Sequence, residues 1–170
     1  MKQIIYNEYN LDDNEINNII KRAKIILINN KEEILLANSS NNYYLVGGHV
    51  DNDETDIETL KRETLEETGI NLNIEDIKPF LSITYKVKDY PEKTINSKFI
   101  ANYYYLELNE KINYNNMNLT EGEIKENFEL SYIHINEIIE VLKENLKVAT
   151  RRNVVRDTID AVEEFIKIYK

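Results

Sequence analysis

Runs of β-branched and aliphatic residues alternate with polar, asparagine-rich breaks along this chain. Ala23 to Ile28 is the first such run and Glu33 to Ala37 the second. Asn29-Asn30-Lys31 between them reads as a hairpin turn. Tyr43 to Val46 is a third short strand, ending in the pair Gly47-Gly48. From Asp56 to Thr68 the period changes: Ile57, Leu60 and Thr64 recur at helical spacing, and Gly69 stops the helix by accepting a left-handed conformation. Phe80 to Val87 and Phe99 to Leu108 follow as two strands, joined by a polar loop, Asp89 to Lys98, long enough to reach over a site. A long polar connection, Lys111 to Asn127, leads to a strand over Phe128 to Ile133 and a helix over Asn136 to Leu146. Val155, Ile159, Val162 and Ile166 mark an amphipathic closing helix from Thr150 to Tyr169. Near the start, Asp12 or Asp13 is predicted to cap a short helix carrying Ile16, Ile19 and Ile20.

The 170 residues bound the answer to one domain, 1–170, large enough to bury a core. A net charge of −10 argues against a nucleic-acid polymer or an anionic membrane as partner. It also requires any anionic substrate to be drawn in by local charge. No cysteine is present, which excludes disulfides and thiol chemistry. The first residues lack the apolar core of a signal peptide, and no apolar run is long enough to span a bilayer. A cytoplasmic protein is the expectation. The sequence leaves open whether it is a monomer or a homodimer.

Glu63, Glu66 and Glu67 stand at i, i+3 and i+4, on one arc of the predicted helix. Like charges at this spacing cost roughly 0.2–0.5 kcal/mol per pair, and a cluster that breaks a local rule is expected at a functional site. Three convergent carboxylates suit a hard divalent cation such as Mg²⁺. Taken alone, the three glutamates read better as a solvated acidic face, since acidic surface helices are common. The residues around them decide otherwise. Gly48, Glu54, Arg62, Glu63, Glu66, Glu67, Gly69 and Ile70 fall in the register Gly-x5-Glu-x7-Arg-Glu-U-x-Glu-Glu-x-Gly-U, where U is bulky and aliphatic. This resembles the signature of the Nudix hydrolases. Chance would produce the match on the order of once in a hundred million windows at average residue usage. Thr64 departs at the first U, and Val46 stands where the family usually has proline. Outside this box, Glu129 to Ile138 resembles the family's late strand-to-helix junction, with Tyr132 where tryptophan is usual.

The resemblance implies an α+β fold, a Nudix-type α/β/α sandwich with a mixed central sheet, with the 56–68 helix against the sheet edge. It implies divalent-metal-dependent hydrolysis of a pyrophosphate bond in a nucleoside diphosphate linked to another moiety. The Gly47 carbonyl with Glu63, Glu66 and Glu67 would hold Mg²⁺ or Mn²⁺. Arg62 would brace carboxylates; at helical spacing it reaches either Glu58 or Glu66. A further glutamate outside the box often completes such a site. Glu121, Glu123 and Glu126 are the candidates, with Glu123 preferred. Tyr85, Tyr103 and Tyr105 are candidates to stack on a base, beside the plainer reading of packed strand residues. Tyr85 lies about where diadenosine polyphosphate hydrolases of the family carry a tyrosine. His49 and His134 read as supporting residues. Arg151, Arg152 and Arg156 read as a solvated helix start over a phosphate clamp. The substrate expected is a small nucleotide: a nucleoside triphosphate, a dinucleoside polyphosphate or a sugar nucleotide. The alternative is a non-catalytic nucleotide-sensing module on the same fold.

Overall fold

The computed structural model describes residues 1–169. Its strands are β1 (Lys2–Tyr6), β2 (Asn18–Ile28), β3 (Glu33–Ser39), β4 (Asn42–Tyr44), β5 (Val46–His49), β6 (Leu81–Val87), β7 (Ser97–Glu107) and β8 (Glu129–His134). Its helices are α1 (Asp56–Thr68), α2 (Glu121–Lys125), α3 (Ile138–Val148) and α4 (Arg152–Tyr169). The strands form one mixed sheet in the order β1-β6-β7-β2-β3-β4, with β5 also on β2 and β8 also on β3. The β1–β6 and β2–β7 pairs are parallel, the rest antiparallel.

The central strand explains the layering. Ala23 to Ile28 is apolar on both faces but for Lys24, as a strand covered on both sides must be. Ala23, Ile25 and Leu27 pack with Leu60 of α1, while Ile26 and Ile28 pack with Leu142 of α3 and Val162 and Phe165 of α4. The α+β sandwich implied by the sequence is therefore present. Helix α1 lies beside β5, which pairs only with β2, and over β2 itself. The 29–31 turn forms as expected: the Asn29 carboxamide oxygen accepts from the N–H of Lys31 (2.9 Å) and of Glu33 (3.0 Å).

Two expectations need correction. No helix carries Ile16, Ile19 and Ile20; a single 3₁₀ turn, Asp13–Glu15, is followed at once by β2. Ile19 and Ile20 pair with Lys98 and Phe99 of β7, so a full-length parallel partner overrode the helical spacing, as β-branched residues allow. Tyr43 to Val46 is not one strand. The chain changes partner at the buried Leu45, from β3 to β2. The 89–98 loop borders a cavity next to that of the carboxylates, through Tyr90. It folds back on itself through Tyr90 N–H to Ile95 O (2.7 Å) and ties to Asn17.

The 111–127 connection is more ordered than its composition suggests. The N–H groups of Asn113 and Asn118 donate to the carbonyls of Thr68 and Glu66, both at 2.9 Å. These satisfy carbonyls that the end of α1 would otherwise leave open. A 3₁₀ turn in the connection, Tyr114–Asn116, packs beside α1, and the connection then forms α2.

Candidate active site

The turn from β5 into α1 builds the site. Gly47 has φ +124°, and a Cβ there would run into the Ala23 carbonyl of β2. A Cβ on Gly48 would fall on the Glu63 carboxylate. The glycine pair thus lets β5 press against β2 and lets Glu63 lie on bare backbone. Helix α1 starts with a capping box: the Thr55 hydroxyl accepts from Glu58 N–H (3.3 Å), and the Glu58 carboxylate accepts from Thr55 N–H (2.7 Å). Glu58 is thereby committed to the cap and unavailable to Arg62.

Arg62 ties the box together. Its guanidinium grips Glu54 through two hydrogen bonds, 2.7 and 2.8 Å. It also donates to Glu63 (2.7 Å), to Glu66 (3.3 Å) and to the His49 carbonyl (3.1 Å). This fork holds the Glu54 carboxyl at about 2. Glu67 is buried and accepts from Gly47 N–H at 3.0 Å. The Lys24 ammonium donates to the Gly47 carbonyl and lies 5.2 Å from the centre of the Tyr44 ring. Burial pushes the Glu67 carboxyl up and the Lys24 ammonium down. Burial, then repulsion from Glu63, raises Glu66.

A cavity of about 370 Å³ opens before these groups. Gly47, Arg62, Glu63, Glu66, Glu67 and Glu123 all line it. Of the three glutamates outside the box, Glu121 is exposed and pairs with Lys125. Glu126 lines the cavity but is held by Ser39 (2.6 Å) and by Arg151. Glu123 lines it too, while its carboxylate closes the α2 capping box on Thr120 N–H (2.7 Å). His49 borders the cavity, with burial lowering its pKa. His134 accepts from Asn136 N–H (3.2 Å) at the β8 end.

The tyrosines are elsewhere. Tyr85 borders a second, adjoining cavity. Tyr103 is buried in the core between the sheet and α4. Tyr105 packs on Phe80 and Phe165 and borders none of these cavities. Strand alternation puts 103 and 105 on the α4 face, where Phe165 occupies them. The arginines also disperse: Arg151 faces the carboxylate cavity, Arg152 donates to the Leu146 carbonyl (2.6 Å), and Arg156 lies over the Tyr6 ring.

The donor set fits a hard divalent cation, since every candidate ligand offers oxygen. Among the described residues, however, no three acidic or histidine side chains converge as they stand. Arg62 draws Glu63 and Glu66 to itself, and Glu67 turns to Gly47 N–H. A bound cation would compete with Arg62 and Lys24 for these oxygens. Sequence reasoning missed Arg22, Lys24 and Tyr44, which also line the cavity. The available signal was the lysine interrupting the apolar run at 23–28.

A strand, a glycine pair and a carboxylate-bearing helix thus meet at one side of an α/β/α sandwich. The profile described as NUDIX domain matches residues 20–157, and the chain belongs to this family of pyrophosphohydrolases. No curated protein sequence matches it. Among solved structures it resembles the MutT protein from Methanosarcina mazei Go1 (24% identity, 89% of this chain and 97% of that one, TM-score 0.56). It also resembles the Escherichia coli ORF135 protein (14%, 94% and 96%, 0.57). A third likeness is to a Caenorhabditis elegans Ap4A hydrolase (16%, 88% and 97%, 0.54).

Proposed function

We propose that this protein hydrolyses, with Mg²⁺ or Mn²⁺, a pyrophosphate bond in a nucleoside diphosphate linked to another moiety. The observation that carries this reading is the shared cavity before Gly47, Glu63, Glu66 and Glu67, which Arg22, Lys24 and Arg151 also line. Glu63, Glu66, Glu67 and the Gly47 carbonyl would hold the metal, with Glu123 beside them. The metal would neutralise phosphate charge and lower the pKa of a bound water. Arg62 orients Glu63 and Glu66 through its hydrogen bonds. A carboxylate of this cluster would take the proton from the attacking water. Arg22 and Arg151 bring positive charge to this cavity, which supports an anionic substrate despite the protein's net charge of −10. A small nucleotide is the expected substrate, and the cytoplasm the expected compartment. Among the described residues no helix is long and apolar enough to cross a membrane.

The test is a product-release assay with Mg²⁺ and with Mn²⁺. The panel covers nucleoside triphosphates, dinucleoside polyphosphates, sugar nucleotides, ADP-ribose, and inositol and prenyl diphosphates. Glu66→Gln and Glu67→Gln are each expected to cut turnover by about two orders of magnitude or more with the thermal midpoint retained. Binding without turnover across the panel would instead identify a nucleotide-sensing module.

A further inference from the structure

Lys24 is the one charged residue in the apolar run Ala23 to Ile28. It lies opposite Gly47 across the β2–β5 pair. Among the described residues its ammonium donates one hydrogen bond, to the Gly47 carbonyl. The N–H of the same glycine donates to the Glu67 carboxylate at 3.0 Å. Gly47 presents both groups because it has no side chain and sits at φ +124°. A lysine on the carbonyl and a glutamate on the N–H are thus joined through a single residue. Glu67 is 3% exposed, and Lys24 is the charge that offsets its burial most. A carboxylate at that depth needs a counter-charge.

Under the hydrolase reading the Gly47 carbonyl and Glu67 are also cation ligands. Lys24 and a divalent cation therefore seek the same oxygens. Arg62 stands differently. It keeps Glu54 and the His49 carbonyl when Glu63 and Glu66 turn to a cation. Lys24 has no such second acceptor, only the ring of Tyr44, 5.2 Å from the ammonium to its centre. An ammonium on a flexible stem can leave the carbonyl while the strand stays in place. Its charge remains in the cavity that it lines, and there it repels the cation.

We infer that Lys24 tunes the cation site. In the metal-free protein its ammonium takes the cation's place beside Gly47 and Glu67, and it holds the affinity for a divalent cation below what the oxygen donors alone would give. This rests on the hydrolase reading and deepens it, by naming the residue that sets how tightly the cation is held. Gly47, Glu63, Glu66 and Glu67 supply the attraction, and Lys24 limits it.

The test is a titration of Mn²⁺ into wild-type protein and variants without substrate, with the free ion read from its electron paramagnetic resonance signal. Lys24→Met is of similar length and uncharged, and is expected to bind Mn²⁺ about tenfold tighter than wild type. Its thermal midpoint is expected below that of wild type in chelator, because Glu67 has lost its counter-charge, and to recover in saturating Mn²⁺. Lys24→Gln keeps a donor for the Gly47 carbonyl and removes the charge. It is expected to tighten Mn²⁺ as well, and it carries the test if Lys24→Met fails to fold. Mn²⁺ binding that is unchanged or weaker in the variants would overturn the inference. So would a midpoint deficit equal with and without Mn²⁺, the mark of a lysine that only supports the fold. In either case Mn²⁺ binding and metal-dependent hydrolysis by wild-type protein would leave the hydrolase reading standing. If neither wild type nor variants bound Mn²⁺, both would fall.

Discussion

Thr64 stands where the family pattern has a bulky aliphatic residue, and the structure shows what this costs. The side chain is fully buried, and its hydroxyl has no hydrogen-bond partner. Valine has nearly the same shape and lacks the orphaned group. Thr64→Val is therefore expected to raise stability by about 1 kcal/mol. The effect is read as a higher urea midpoint at unchanged slope, and a lower midpoint would reveal a partner for the hydroxyl. Single residues also show where reading the chain alone runs out. Glu63, Glu66 and Glu67 declared themselves by spacing, which is a local property. Lys24 did not, because its role depends on lying opposite Gly47 across the β2–β5 pair. Tyr103 and Tyr105 were readable as strand residues, but which face Phe165 would fill was not.

Elements were readable in proportion to their length and the regularity of their pattern. Helices α1, α3 and α4 carry apolar positions at helical spacing, and the 29–31 turn carries its asparagine signal. Helix α2 has only five residues, too few for a period, and forms through its capping box and the anchoring of the connection before it. The early part of β2 misled because Ile16, Ile19 and Ile20 fit a helix; what decides is β7, far along the chain. That anchoring makes Gly69 more than a helix stop. It sits at φ +70°, and a Cβ there would strike the Asn113 carbonyl. Gly69→Ala is expected to cost more than the ~1 kcal/mol of a left-handed alanine. It is also expected to speed amide exchange at Asn113 and Asn118. Unchanged exchange there would show that the connection is held independently of α1.

At the scale of the whole molecule, charge is distributed against its average. The chain is acidic overall, yet Arg22, Lys24, Arg62 and Arg151 gather around one cavity. Burial beside them makes stability depend on pH. Asp157 is raised from 3.8 to about 7, first by burial and then by Asp160, against the Tyr85 hydrogen bond and the nearby Arg156 and Arg22. The folded state thus keeps a proton that the unfolded chain loses at lower pH. The resulting stabilisation is complete below about 4 and is lost as pH rises through about 7. Wild-type protein is expected to lose stability across that window relative to Asp157→Asn, measured as the difference in thermal midpoint at each pH. Parallel curves would show that Asp157 ionises normally. The parallel β2–β7 ladder has a further consequence, in time. It joins Asn18 to Ser97, residues 79 apart in the chain, and the segment it encloses contains α1 and the glycine pair. The β2–β3, β2–β5 and β6–β7 pairs are closer in sequence, but joining β7 to β2 requires that long loop to close. That closure is expected to make folding slower than in a helical bundle, where contacts are local. The helix bearing Glu63, Glu66 and Glu67 meets Lys24 and Arg22 through the nearer β2–β5 pair, so the carboxylate side of the site needs no closure of that long loop.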